Sequence, residues 1–320
     1  MKSNWKNWLG VSILLAGLAL AAFAVWQQTS PPASPYRPAL DAQKPAARVW
    51  FTDYYAGSSE RIRFAVIGDF GDAGTAAAQV SALVRGWQPD FIVTTGDNNY
   101  PDGEASTIDA NIGQYYQEFI HNYRGQYGPG SAMPRFFPVL GNHDLRTDNG
   151  QPYYDYFTLP GNERYYDFVW GPVQFFMLNA NPGSEPDGTN VNSAQAKWLQ
   201  RRLTFSRPAW QIVITHEPPY SSGKHGSSEW MQWPYAEWGV DLVLAGSDHS
   251  YERLERDGIT YVVNGAGGRT LYFFREPLEG SQVRYAADYG AMLVEANAQQ
   301  ITFQFITHTG AVIDTYTLNK

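Results

Sequence analysis

Three observations predict an α/β fold with two packed sheets and helices outside them. Strand-like and helical segments alternate through the first part of the folded region, and strand-only segments follow. Hydrophobic residues make up 43% of the 320, including 11 Trp, 21 Tyr and 17 Phe, so a large, mostly aromatic core can form. Five strand ends each deliver Asp, Asn or His into the loop that follows, the edge where active sites of α/β folds gather.

From the N-terminus, residues 1–26 read as an export segment. Lys2 and Lys6 precede an uncharged stretch of 19 residues from Trp8 to Trp26, between the roughly 7–15 of a signal peptide and the ~20 of a spanning helix. Ala22-Phe23-Ala24 offers a cleavage site, so a removed signal and a retained anchor both fit, the anchor being preferred. No basic residue follows until Arg37, which places the remainder outside the cytoplasm: periplasmic, extracellular or membrane-anchored. Residues 27–47 carry Pro31, Pro32, Pro35, Pro38 and Pro45 and read as an extended tether. Residues 48–320 remain, about 270 residues, a length that one α/β domain reaches.

Arg61–Ile67 reads as a buried strand ending at Gly68-Asp69, and a helix follows from about Thr75 with Val80, Leu83, Val84 and Trp87 on one face. Phe91–Thr95 is a second strand, ending at Gly96-Asp97. A helix with Ile108, Ile112, Tyr115, Tyr116 and Phe119 comes next, then a strand over Phe136–Leu140 ending at Gly141-Asn142-His143-Asp144. Tyr165–Trp170 and Val173–Leu178 flank Gly171-Pro172 as a hairpin. Ser193–Leu203 is helical, Gln211–Thr215 is a strand ending at His216, and Val240–Ala245 is another, ending at Gly246-Ser247-Asp248-His249. Ile301, Phe303 and Phe305 alternate as in antiparallel strands.

Composition narrows the chemistry. The formal charge of −8 gives no general attraction for a nucleic-acid polymer or anionic lipid, so an anionic substrate must be held by local positive charge such as a metal. The absence of cysteine excludes disulfides, thiolate metal sites and a cysteine nucleophile, without fixing the compartment. Asp69, Asp97, Asn142, His143, His216 and His249 fall in the strand-end loops, with His225 nearby, so four of six histidines gather there. Carboxylate, amide and imidazole donors suit Fe, Mn or Zn. Two such ions about 3.5–4 Å apart can clamp both oxygens of a phosphoryl transfer and acidify a water.

Gly68-Asp69-Phe70-Gly71, Gly96-Asp97-Asn98-Asn99-Tyr100 and Gly141-Asn142-His143-Asp144 together resemble the calcineurin-like metallophosphoesterase superfamily. Tyr100, three places after Asp97, narrows the resemblance to the purple acid phosphatases. His216 with His225 nine residues later is similar to their small, single-domain, tartrate-resistant form. His249-Ser250-Tyr251-Glu252-Arg253 resembles a stretch of their larger relatives, and Asn264-Gly265-Ala266-Gly267-Gly268 is also similar to the family.

The resemblance implies a four-layer sandwich, two mixed β-sheets flanked by helices. It also implies a first metal, Fe(III), held by Asp69, Tyr100 and His249, the tyrosine giving the colour. Asp97 bridges to a second, divalent ion (Fe, Zn or Mn) held by Asn142 and His216. A metal-bound hydroxide attacks phosphorus in line, while His143 and His225 bind phosphate and protonate the leaving alcohol. Asp144 is placed to orient the His143 imidazole.

One departure bears on the second metal. The family pattern is Gly-His-x-His and the chain has Gly246-Ser247-Asp248-His249, which removes an imidazole from the divalent site. Water or the serine completes a weaker site, another residue (Asp248 being nearest) supplies the ligand, or the site stays mostly empty. The expectation is an exported phosphatase acting on phosphomonoesters. The alternatives are a diester or nucleotide hydrolase of the same superfamily and a non-catalytic phosphate- or metal-binding member. His121, His308 and the tyrosine pairs Tyr115-Tyr116 and Tyr153-Tyr154 read as structural. Arg253 reads as a substrate contact or a salt bridge, Lys224 as a surface lysine with a modest claim on phosphate, and Asn264–Gly268 as a glycine-rich turn.

Overall fold

A computed structural model of the chain describes residues 60–320. The leader and the proline-rich tether expected over residues 1–47 lie outside the described residues. Among the described residues, no helix is long and apolar enough to cross a membrane.

The described residues form two mixed sheets. One is six-stranded, in the order β13-β12-β11-β1-β2-β3, from β1 (Arg61–Ile67), β2 (Phe91–Thr94), β3 (Phe136–Phe137), β11 (Gly290–Asn297), β12 (Gln300–Thr307) and β13 (Val312–Asn319). The other is seven-stranded, in the order β10-β8-β9-β7-β6-β5-β4. Its strands are β4 (Tyr166–Trp170), β5 (Val173–Met177), β6 (Trp210–Ile214), β7 (Leu242–Ala245), β8 (Tyr251–Arg256), β9 (Ile259–Asn264) and β10 (Ser281–Tyr285). β1, β2 and β3 run parallel, as do β5, β6, β7 and β9, and the outer pairings are antiparallel. The expected strand over Phe136–Leu140 shortens to two residues, because Pro138 has no N–H to offer the ladder.

Strand alternation sorts the side chains into layers. Phe64 of β1, Phe91 of β2, Phe168 of β4, Phe175 of β5, Ile212 of β6 and Leu244 of β7 share one buried cluster between the sheets. Phe64 meets Phe175 edge-on at 5.1 Å and Phe137 stacks on Phe168 at 3.8 Å, so the aromatic surplus in the sequence is spent on this interface. On the same strands Phe176, Val213 and Val243 point the other way and are covered by Ala196, Leu199 and Leu203 of a helix, α3 (Ala194–Thr204). Ser193 starts that helix by accepting a hydrogen bond from the Ala196 amide at 3.0 Å. α1 (Thr75–Gly86) buries Ala77, Val80, Ser81 and Val84, and a short α2 (Gln151–Tyr156) carries the buried Tyr153 and Tyr156. The helix expected around Ile112 is an irregular run through Asp109–Gly113, Gln114–Tyr116 and Gln117–Phe119, and His121 lies just beyond it. This is the α/β sandwich expected, two mixed sheets with flanking helices. The parallel strands β1, β2, β6 and β7 send the loops of Asp69, Asp97, His216 and His249 to one edge.

Candidate metal centre

Two aspartates stand at the first and second strand ends in left-handed backbone, Asp69 with φ 53° and Asp97 with φ 52°. That conformation costs about 1–3 kcal/mol at a non-glycine residue and persists only where the surroundings hold it. Here Asp69 N donates to Gly96 O at 3.1 Å and Gly71 N to Asp97 O at 3.4 Å, so each loop clasps the other. Gly96 is required beside them, because its φ is +95° and a Cβ there would lie 2.5 Å from His216 Nδ1.

Around these carboxylates the remaining donors converge. Tyr100 Oη donates to Asp97 Oδ2 at 2.7 Å and lies 3.3 Å from Asp69 Oδ1 and 3.2 Å from His249 Nε2. His216 Nε2 lies 3.2 Å from Asn142 Oδ1 and 3.5 Å from Asp97 Oδ1. One ligand atom from each of Asp69, Asp97 and His216 falls within 4.8 Å of the other two. Asp69, Asp97, Tyr100, His216 and His249 are all buried, whereas Asn142 is exposed at the mouth.

The donor chemistry fits metal ions. His216 Nδ1 donates to Thr95 O at 2.8 Å and His249 Nδ1 to Thr270 O at 2.7 Å, which leaves each Nε2 facing oxygen acceptors. Acceptor set against acceptor is an arrangement that a proton or a cation resolves. Without a cation the proton does so: burial pushes the His216 imidazole down, but Asp97 and Asp69 outweigh it and lift it to about 10. Burial opposes protonation of His249 as well, and its hydrogen bond to Asp69 raises it. Burial, with Asp69 and Asp97 beside it, holds the Tyr100 phenol far above its ordinary range.

One expectation about a neighbouring acid is corrected, and one open alternative loses its candidate. Asp144 does not touch the His143 ring. Its oxygens accept from Asn98 N (3.0 Å), Asn98 Nδ2 (2.8 Å) and Gly141 N (2.9 Å), joining the Asp97 loop to the Asn142 loop. Burial and the charge of Asp97 push its carboxyl up to about 7. The His143 ring is held instead by Pro101 O, with Arg146 Nη2 3.1 Å from its Nε2. Asp248 does not face the cluster either. It accepts from Ser221 Oγ (2.6 Å), His225 N (2.7 Å) and Gly226 N (3.2 Å), and so pins the His225 loop. Glu252 fastens the same loop through Ser222 N at 2.7 Å and Ser222 Oγ at 2.6 Å.

A cleft of about 480 Å³ opens over the cluster, lined among others by Asp97, Asn142, His143, His225, Ser247 and His249. Arg146, Glu217, Trp230 and Tyr272 line it too, and none of these was singled out from the sequence. Arg146 is four residues past Asn142 and Glu217 directly follows His216, a proximity to the motifs that was the available signal. Tyr272 stacks on the His249 ring at 4.0 Å, and Lys224 sits over the same tyrosine. Arg253 is occupied by Asp314 at 2.7 Å, away from the cleft wall. His308 pairs with Asp288 at 2.9 Å. In the Asn264–Gly268 loop, Gly267 N donates to Gly68 O at 2.9 Å, so that loop is packed backbone-to-backbone beneath Asp69.

Two mixed sheets whose parallel strands bring carboxylates, imidazoles and a tyrosine to one edge define a metallophosphoesterase. The chain belongs to the calcineurin-like phosphoesterase family, whose family model matches residues 62–251. A second family model, described as iron/zinc purple acid phosphatase-like protein C, matches residues 258–315. Within the family the chain is thus a purple acid phosphatase-like hydrolase.

Purple acid phosphatase 17 of Arabidopsis thaliana is 27% identical over 251 residues, covering 67% of this chain and 70% of that protein. Tartrate-resistant acid phosphatase type 5 of Homo sapiens is 23% identical over 309 residues, covering 79% and 90%. Among solved structures, purple acid phosphatase PPD1 from yellow lupin (Lupinus luteus) seeds matches with a TM-score of 0.66 at 19% identity, over 83% of this chain. The present chain spans 55% of that lupin protein. GAP50, the anchor in the inner membrane complex of Plasmodium, matches with a TM-score of 0.62 at 20% identity, over 81% and 89%. These two structures speak for the fold alone.

Proposed function

We propose that the chain is an exported phosphatase that hydrolyses phosphomonoesters at a dinuclear centre. Asp69, Tyr100 and His249 would hold Fe(III), and Asp97, Asn142 and His216 would hold a divalent ion (Fe, Zn or Mn), less firmly for want of an imidazole at Ser247, with Asp97 shared between the two. The observation that carries this reading is the convergence of these six side chains, with the Nε2 atoms of both histidines turned inward by carbonyls at Thr95 and Thr270. Bound there, two cations supply an acidified water and draw charge from the phosphoryl oxygens.

The rest falls to the chain's own groups. Arg146 offers N–H donors at the cleft mouth to the phosphate, and His143, whose Nδ1–H is spent on Pro101 O, joins it when its Nε2 takes a proton and turns from Arg146 to the ligand. His225, whose protonation burial opposes, gives its proton readily to the departing alcohol oxygen once it holds one. Asp144 and Asp248 act as positioning residues, one for the Asp97 and Asn142 loops, the other for the His225 loop. Export rests on the N-terminal sequence, and fractionation of cells making the chain, with the protein in the cytosol, would refute it. The reaction is tested with p-nitrophenyl phosphate and its bis-ester on metal-loaded protein, Asp97→Asn serving as the inactive control. Faster turnover of the monoester supports the proposal, and faster diester turnover moves it to the phosphodiesterase alternative. Ser247 favours a second reading, a non-catalytic member, and a second site that stays empty after reconstitution, with no turnover of either ester, would support it.

A further inference from the structure

The second cation has three protein donors from the motifs, Asp97, Asn142 and His216, and lacks the imidazole that the family pattern puts at position 247. Ser247 spends its amide on Asp69 Oδ2 at 3.1 Å, and Asp248 is turned toward the His225 loop. Glu217 lines the same cleft as Asn142 and Ser247.

Glu217 is singular among the described residues. Its Oε2 is shut off from solvent and has no hydrogen-bond partner, and no other buried carboxylate oxygen shares that state. Asp144, Asp248 and Glu252 are each satisfied by several donors. An orphaned buried carboxylate is costly unless it is paired or coordinates a metal. Among the described residues no lysine or arginine forms a salt bridge with it. Its place in the chain is fixed by His216, whose ring is anchored on Thr95 O.

We propose that Glu217 is the fourth protein ligand of the second, divalent cation, doing from the His216 loop what an imidazole at position 247 would do. The proposal rests on the dinuclear reading above. Glu217 is not among the three residues whose ligand atoms already lie within 4.8 Å, so binding draws its oxygen inward by rotation about its own side-chain bonds. Exchanging a neutral imidazole for a carboxylate adds a negative, hard donor. The site should therefore favour Mn(II) or Fe(II) over Zn(II) more than an imidazole-rich site does.

The test uses the full chain loaded with ferric iron, titrated with Mn(II) and Zn(II) by calorimetry and checked by elemental analysis. Wild type, Glu217→Gln, Ser247→His and the double variant are compared, with melting temperatures to confirm folding. The wild type should take up one divalent ion beyond the iron. Glu217→Gln should weaken that uptake at least about tenfold, the scale of losing a metal-supporting contact, and leave the iron and its visible band in place. Adding Ser247→His to Glu217→Gln should restore binding and shift the preference toward Zn(II). Unchanged divalent affinity in Glu217→Gln overturns the role of Glu217 while leaving the dinuclear reading intact. A loss that Ser247→His does not repair also overturns it. No divalent uptake by the wild type would overturn the dinuclear reading itself, and this proposal with it.

Discussion

Asp248→Asn separates a residue that holds the His225 loop from one that binds metal. The carboxylate is fully buried and accepts from Ser221 Oγ, His225 N and Gly226 N at 2.6, 2.7 and 3.2 Å. Asparagine keeps the acceptor for His225 and sets an NH2 against Ser221 and Gly226. The serine hydroxyl can turn round to accept, but the Gly226 amide cannot, and one orphaned buried N–H costs about 1–3 kcal/mol. Replacing charge-assisted bonds by neutral ones adds roughly 1 kcal/mol. A total of about 3 kcal/mol corresponds to a fall in Tm of about 6–12 °C in a domain of this size. A displaced His225 should also lower kcat by up to about a hundredfold. Thermal melting, p-nitrophenyl phosphate turnover and metal analysis read the three quantities on one sample. Metal content should stay unchanged. An unchanged Tm accompanied by loss of one metal would make Asp248 a ligand and refute the reasoning.

Tyr100→Phe should abolish the visible band of the iron-loaded protein, and metal-free wild type should show no tyrosinate absorption at neutral pH, because burial beside Asp69 and Asp97 keeps the phenol protonated. Difference spectra on adding ferric iron check both statements. Chelation should lower Tm by about 3 kcal/mol's worth, the linkage lost at about a hundred times Kd, because Asp69 and Asp97 then sit buried side by side. In the metal-free state Asp97→Asn should melt lower than the wild type at neutral pH, since it removes the buried partner that holds the proton on His216. Asp314→Ala should destabilise the fold by about 1–3 kcal/mol by removing the acceptor of Arg253 and of the buried Tyr251 Oη, Glu255 remaining 3.6 Å from the guanidinium, while KM for p-nitrophenyl phosphate stays unchanged.

Local sequence carried the strand ends and the residues they present. A β-branched or aromatic run closing on Gly-Asp or on His is readable one loop at a time, and Ser193 marks a helix start by its cap. Pairings between distant segments were not readable. β1 lies against β11, with Arg61 opposite Asn297, a register that no local periodicity encodes. The directions of Asp144 and Asp248 were not readable for one reason: adjacency to a motif histidine says nothing about side-chain direction, which is set by amides at Asn98, Gly141 and His225. Arg253 found its partner 61 residues away, on the last strand of the other sheet. Glu217 was legible only once its isolation could be seen in three dimensions.

The central claim is that the strand-end side chains build a two-metal centre with tyrosinate bound to iron. It is tested most directly by counting metals per chain on purified full-length protein reconstituted with iron and a divalent ion, and recording the visible spectrum of the same sample. The account predicts two metals and a charge-transfer band that disappears in Tyr100→Phe. A colourless protein that retains no metal after reconstitution would contradict it.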